Sequence, residues 1–83
     1  MSIGILKTAL KKVAQNEFSK VIVEIVKGRN KDIYTFTNQG NKIKVQSYDE
    51  LFNTSLGAGS VDEIIEDFKR PYKLWEIRSV RFI

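Results

Sequence analysis

The chain has 83 residues, of which 42% are hydrophobic and 29% charged, and its net charge at neutral pH is +4. This length and composition predict a single domain over residues 1–83, with one core but no room for a deep enclosed active site. The chain contains no Cys and no His, which excludes disulfides, the common zinc ligands and the usual general bases at neutral pH. We therefore expect a protein that is not an enzyme and that binds no metal or other cofactor.

Two further absences bear on where the protein works. No apolar run is long enough to span a membrane, and residues 1–7 lack the pattern of a signal peptide because lysine interrupts the apolar stretch at once. A small domain without cysteine is also easier to maintain in a reducing compartment than outside the cell. The sequence therefore predicts a soluble, cytoplasmic protein.

The first segment predicts an amphipathic helix. Apolar residues recur at spacings of three and four at Ile3, Leu6, Leu10 and Val13, and three lysines lie off that stripe. We expect the helix to end at residues 16–17. Such a basic amphipathic helix also occurs on anionic membrane surfaces, but a small sheet needs a helix to cover it, so membrane binding is the less favoured reading.

Three strands are predicted next. Residues 18–27 give the strongest β signal, and because both faces are apolar this strand should be central. Residues 32–37 and 42–46 follow, each after a turn that contains glycine. The alternation of lysine with Ile43 and Val45 predicts a half-buried strand at an edge of the sheet. Such an edge could also pair with a second copy of the protein.

Two helix starts with the same pattern come after the strands. Residues 47–50 and 60–63 both match the capping box, in which Ser and Glu satisfy free backbone N–H groups reciprocally. The first predicts a short helix over residues 48–52, and the second predicts a helix from Val61 to about Lys69. The glycine-rich residues 56–60 between them are interpreted as a plain interhelix loop.

The last segment, residues 72–83, predicts a long strand whose phase changes. Trp75 and Ile77 share one face by alternation, whereas Val80 and Phe82 share the other. A β-bulge near residues 78–79 would bring all four to the core. Because this strand is long and apolar, we expect it to pair with the first strand.

These elements predict an α+β fold in a single small domain. The expected order is α-β-β-β-α-α-β, with a four-stranded, mostly antiparallel sheet and the helices packed on one face. Tyr34, Phe36 and Trp75 are then interpreted as core residues, although aromatic side chains on strands can also stack on nucleic-acid bases.

Charge is segregated along the chain. Residues 1–31 carry a net charge of +5, residues 32–68 carry −5 and residues 69–83 carry +4. If the last strand lies beside the first, the two basic ends merge into one surface formed by the N-terminal helix and the C-terminal strand. This candidate basic binding surface consists of Lys7, Lys11, Lys12, Lys27, Arg29, Lys73, Arg78 and Arg81.

The acidic residues form the opposite group. They are Asp49, Glu50, Asp62, Glu63, Glu66 and Asp67. Paired carboxylates can bind Mg²⁺ or Ca²⁺, but their spacing fits no calcium loop. Acidic residues are also stabilising in the first turn of a helix, where the helix dipole favours them, and this interpretation is preferred.

The sequence thus favours a small binding or interaction module that docks a protein partner. Small domains rich in Lys, Asn and Ile are common in phages, plasmids and AT-rich microbes, which suggests an accessory or inhibitor role. The alternative is nucleic-acid binding through the basic surface, although no helix-turn-helix, RNA-binding strand signature or zinc finger is present. A homodimer is a further alternative, and a membrane surface is the least favoured partner.

Overall fold

The computed structural model describes residues 1–48 and 53–83. Both helices lie against one face of a five-stranded antiparallel sheet with strand order β4-β3-β2-β1-β5. Neither helix in this part of the chain is long and apolar enough to cross a membrane. The elements are α1 (Ile3–Ala14), β1 (Lys20–Lys27), β2 (Asn30–Gln39), β3 (Lys42–Tyr48), β4 (Asn53–Gly59), α2 (Val61–Lys69) and β5 (Glu76–Phe82).

The α+β class and the antiparallel sheet are confirmed, but the predicted four strands and the order α-β-β-β-α-α-β are wrong. Within the described residues the order is α-β-β-β-β-α-β, and residues 53–59 form a strand instead of a loop. This β4 pairs with β3, which is therefore not an edge strand. A register shift leaves Leu56 as an extra residue, and Gly57 beside it has a φ of 102°, a backbone conformation that favours glycine.

Of the predicted short helix over residues 48–52, only the first residue belongs to the described part of the chain. Residues 49–52 lie outside the described residues. Ser47 and Tyr48 belong to β3, where they pair with Tyr34 and Ile33 of β2, so they do not begin a helix. Pairing with a neighbouring strand therefore prevails over the local capping pattern at these two positions.

The predicted N-terminal helix is confirmed, and its end is well defined. Asn16 takes a left-handed φ of 62°, and its N–H bonds to the carbonyl of Val13 while that of Glu17 bonds to the carbonyl of Lys12. This pair of bonds is the Schellman motif, which satisfies carbonyls that the helix end leaves free. The side-chain amide of Asn38 also donates to the Val13 carbonyl, at 2.8 Å, and so fastens the end of α1 to β2.

The second capping box is confirmed. The Ser60 hydroxyl accepts a hydrogen bond from the N–H of Glu63 at 3.2 Å, and the Glu63 carboxylate accepts one from the N–H of Ser60 at 3.4 Å. Helix α2 therefore begins directly after β4. Its apolar stripe of Ile64, Ile65 and Phe68 is buried against the sheet and α1.

The predicted neighbour and bulge of the last strand are both confirmed. β5 lies antiparallel beside β1, with Val80 opposite Val23 and Ile77 opposite Ile25. Between these pairs Arg78 is the extra residue of a bulge. Cross-strand partners point to the same side of a sheet, so the bulge places Ile77 on the same face as Val80 despite the change of phase.

The core lies between the helices and this inner face of the sheet. Tyr34 and Phe36 of β2 are buried there, which supports their interpretation as core residues. Phe68 of α2 packs edge-on against Tyr34 at 4.8 Å between ring centroids, and Tyr72 lies against both rings. An aromatic cluster thus joins α2 and the turn after it to the centre of the sheet.

Candidate functional site

The residues of the predicted basic surface are distributed over four places. Lys7, Lys11 and Lys12 lie on α1, Lys27 and Arg29 at the β1–β2 turn, Lys73 in the turns after α2, and Arg78 and Arg81 on β5. Arg81 is opposite Ile22, a residue that points away from the helices. The α1 lysines and the β5 arginines therefore flank β5 on opposite sides of the sheet and do not form one continuous surface.

The side of the sheet away from the helices is a surface that we call the open face. Its residues follow from the strand register: Lys20, Ile22, Glu24, Val26, Lys31, Ile33, Thr35, Thr37, Gln39, Lys42, Lys44, Gln46, Glu76, Arg78, Ser79 and Arg81. These include six cations and two carboxylates. A shallow depression of about 440 Å³ lies on it, bordered by Ile22, Glu24, Ile33 and Arg81.

Glu24 organises the charges of the open face. Its carboxylate lies 3.7 Å from the Lys31 ammonium and 3.9 Å from the Arg78 guanidinium, and it accepts a 3.4 Å hydrogen bond from the Ser79 hydroxyl. The glutamate side chain is only 20% exposed. Two of the open-face cations are therefore partly neutralised from within the protein, whereas Arg81 at the edge has no ion-pair partner among the described residues.

A groove runs along the other side of β5, between that strand and α1. It has a volume of about 620 Å³, and we call it the α1–β5 groove. It is lined by Ser2, Gly4, Ile5, Thr8, Ala9, Lys12, Val80 and Phe82. Ile5 is 52% exposed although it is a large aliphatic residue, so this groove holds apolar surface that the fold itself does not cover.

Phe82 is one of the residues that line the groove. Its ring stacks on that of Phe18 at 4.6 Å between centroids, and the Lys12 ammonium lies 5.4 Å from its centroid. Phe18 is itself 38% exposed. A cation over an aromatic ring is favourable, and it places one positive charge beside the apolar lining of the groove.

The backbone of β5 is free on its outer side. β5 is the last strand of the sheet, and among residues 1–48 and 53–83 no strand pairs with its outer edge. Lys20 and Ile83 exchange both of their backbone hydrogen bonds. Because such pairs alternate with unbonded ones along an antiparallel ladder, Val80 and Phe82 direct their N–H and C=O groups away from β1.

Three features therefore meet on β5: an unpaired backbone edge, an apolar groove on one side and arginines on the other. Of these, the sequence predicted only the arginines. The sequence predicts the sheet edge at β3 instead, and it predicts no binding role for Ile5. The one signal for the groove was that Ile5 lies at the margin of the buried stripe, which contains Leu6, Ala9, Leu10 and Val13.

Three of the four described members of the acidic group, Asp62, Glu63 and Glu66, make local contacts. Asp62 lies 3.7 Å from Lys7 of α1, Glu63 completes the capping box, and Glu66 lies 3.1 Å from Lys69. Asp49 and Glu50 are outside the described residues. Within the described ranges, no three His, Cys, Asp or Glu side chains are close enough to share a metal ion.

Comparison of the chain with models of known families, with curated proteins and with solved structures finds no match in any of the three. The candidate site is therefore defined by the geometry of β5 and its two flanking surfaces.

Proposed function

We propose that this protein is a non-catalytic docking module that binds an acidic segment of a protein partner at strand β5. The observation that carries this proposal is the position of the unpaired edge between the α1–β5 groove and Arg81. Protein interfaces commonly combine an apolar centre with a polar rim, and this edge offers both within one strand. Arg81 on the open face and Lys12 beside the groove are positively charged, and they select for a partner that is negatively charged.

Several features favour a protein over a nucleic acid. Two of the open-face cations, Lys31 and Arg78, already contact Glu24, so fewer cations are free to neutralise the successive phosphates of a nucleic acid. Tyr34 and Phe36 are buried and so cannot stack on bases. The apolar surface of the groove also has no natural counterpart in a phosphate backbone.

The proposal can be tested without knowing the partner. Short random peptides displayed on phage are selected on the immobilised protein, and in parallel on an Ile5→Glu variant and an Arg81→Glu variant. We expect the selected peptides to combine acidic and apolar residues, and we expect each variant to lose them. A Lys44→Glu variant changes an open-face charge on β3, far from β5 in the strand order, and is the matched control.

Two outcomes would contradict the docking proposal. One is a selection that yields no enriched peptides on the wild-type protein. The other is the same enrichment on the wild-type protein and on the Ile5→Glu and Arg81→Glu variants, because those peptides would then bind elsewhere.

The second candidate function is binding of nucleic acid on the open face, favoured by its six cations. Fluorescence anisotropy with labelled duplex DNA, single-stranded DNA and RNA tests it at low and high salt. Phosphate contacts would make the affinity fall steeply with salt, and Lys44→Glu would weaken it. Salt-sensitive binding that Ile5→Glu leaves unchanged would favour this candidate over protein docking.

A further inference from the structure

We infer that the partner segment binds as an added β-strand along the outer edge of β5, with apolar side chains in the α1–β5 groove and acidic side chains toward the open face. This inference rests on the proposed docking function and specifies the conformation and residue pattern of the ligand. A helix lying in the groove would satisfy the docking proposal but not this one.

The first argument is the direction of the free backbone groups. Val80 and Phe82 both point their N–H and C=O groups outward, as the Lys20–Ile83 hydrogen bonds show. Two residues of an extended segment can each exchange two hydrogen bonds with them. Strand addition to an exposed edge gains affinity from such main-chain bonds and specificity from side-chain pockets.

The second argument is the alternation of side chains. Residues opposite Val80 and Phe82 would point to the helix side, as those two residues do, and would enter the groove beside Ile5. Residues between them would point to the open face beside Arg81. The ligand is therefore an extended segment in which apolar residues alternate with acidic ones.

The third argument is that β5 is poorly matched to a second copy of itself. Antiparallel pairing of Val80 with Phe82 of another copy would place Arg81 directly opposite the other Arg81. Like charges directly opposite each other destabilise a sheet. The arginines of this edge thus oppose self-pairing and favour a segment of opposite charge.

The experiment uses two synthetic, end-capped peptides of the same composition, in which Glu and Val either alternate or follow a helical period. Binding is followed by backbone amide NMR of the labelled full-length chain, with peptide up to about 1 mM. We expect the alternating peptide to shift the Val80 and Phe82 amides and to slow their exchange with solvent. The helical-period peptide should do neither.

Backbone methylation gives the sharpest control. In the inferred register the valine amides of the peptide bond to β5, whereas the glutamate amides point away from it. Methylation of the valine nitrogens should abolish binding, and methylation of the glutamate nitrogens should leave the affinity within about twofold. Equal binding by both methylated peptides would overturn strand addition.

Variants of the protein test the same geometry from the other side. Val80→Pro removes an outward N–H that β1 does not use, a substitution that an edge strand accommodates. It should abolish binding, whereas Val80→Ala, which keeps the N–H, should weaken it less. Arg81→Glu should weaken binding roughly tenfold or more. The methylated peptides keep the test decisive if Val80→Pro does not fold.

The outcomes separate the two proposals. If the helical-period peptide binds the groove and the alternating peptide does not, the docking function stands and strand addition is wrong. If neither peptide perturbs β5, strand addition is wrong and the docking function must be judged by the peptide selection alone. Amide protection at Val80 and Phe82 that rises with protein concentration in the absence of peptide would show that a second copy occupies the edge.

Discussion

The Tyr72 hydroxyl donates a 2.9 Å hydrogen bond to the carboxylate of Asp32, joining the turn after α2 to the start of the long strand β2. The same hydroxyl also meets that of Tyr34, whose ring is buried in the core. Of these three polar groups, that of Tyr72 lies closest to β5 along the chain, just before residues 73–75, which lead into the strand. It therefore helps to position the strand on which the proposed function depends.

Removal of the central hydroxyl should destabilise the fold. In Tyr72→Phe the Asp32 carboxylate and the Tyr34 hydroxyl both lose a partner, and a lost hydrogen bond in a half-buried setting costs about 1–2 kcal/mol. Urea unfolding monitored by circular dichroism measures the change. Because the ring and its packing on Trp75 stay, a loss above about 3 kcal/mol or no loss at all would contradict the assigned role.

The same cluster predicts a loss of stability in alkali. Burial raises the pKa of Tyr34 and of Tyr72, and the Asp32 carboxylate adds to both effects. A tyrosine of the unfolded chain ionises at about pH 10. Between that pH and the raised pKa of the same tyrosine in the folded protein, the unfolded state binds fewer protons than the folded state. Stability is therefore full below about pH 10 and falls as the pH rises further.

The alkaline effect is measured by urea unfolding at a series of pH values, with tyrosinate absorbance recorded in parallel. Tyr72→Phe should show a shallower loss above about pH 10, because one of the two perturbed phenols is gone. A folded protein in which all tyrosines ionise together at their ordinary pKa would contradict the assigned burial and hydrogen bonds.

Asn38 should be important for holding α1 on the sheet. Its side chain donates to the Val13 carbonyl and accepts from the N–H of Gly40, both at 2.8 Å. Asn38→Ala removes both bonds and should lower the free energy of unfolding by about 1–2 kcal/mol. The exposed neighbour Gln39→Ala is the control and should change it by less than about 0.5 kcal/mol. Equal effects of the two substitutions would rule out the fastening role.

The two helix starts provide a matched pair of serines. Ser60 is the N-cap of α2 and forms a full capping box, whereas Ser2 precedes α1 without a side-chain hydrogen bond. Ser60→Ala should therefore cost about 1 kcal/mol of stability, and Ser2→Ala close to none. Thermal unfolding of the two variants checks this. A larger loss for Ser2→Ala would show that the caps have been assigned wrongly.

The bulge and the pairing of the last strand could be predicted from the sequence, although the strand begins at Glu76 and not at residue 72 as predicted. The shift of phase between Ile77 and Val80 has few explanations other than a bulge, and the structure places it at Arg78. The pairing of β5 with β1 followed from the apolar content of both strands. Both predictions succeeded because they depend only on the apolar patterns of β1 and β5 themselves, and not on the position of any other element.

Strand β4 could not be predicted in the same way. Residues 53–59 contain Gly57 and Gly59, and glycine is depleted in strands because it adds no side chain to pack. The strand forms because β3 offers it an edge, which is a property of another segment. The α1–β5 groove was missed for a related reason, since the exposure of Ile5 depends on where α1 crosses the sheet.

The central claim is that Val80 and Phe82 present a free hydrogen-bonding edge, and amide hydrogen exchange of the unbound protein tests it most directly. The N–H groups of Arg81 and Ile83 point toward β1 and should exchange slowly, whereas those of Val80 and Phe82 should exchange almost as fast as an unstructured chain. This residue-by-residue alternation along β5 is the predicted result. Slow exchange at Val80 and Phe82 that is equal to that of Arg81 would show that the edge is already occupied and would contradict the claim.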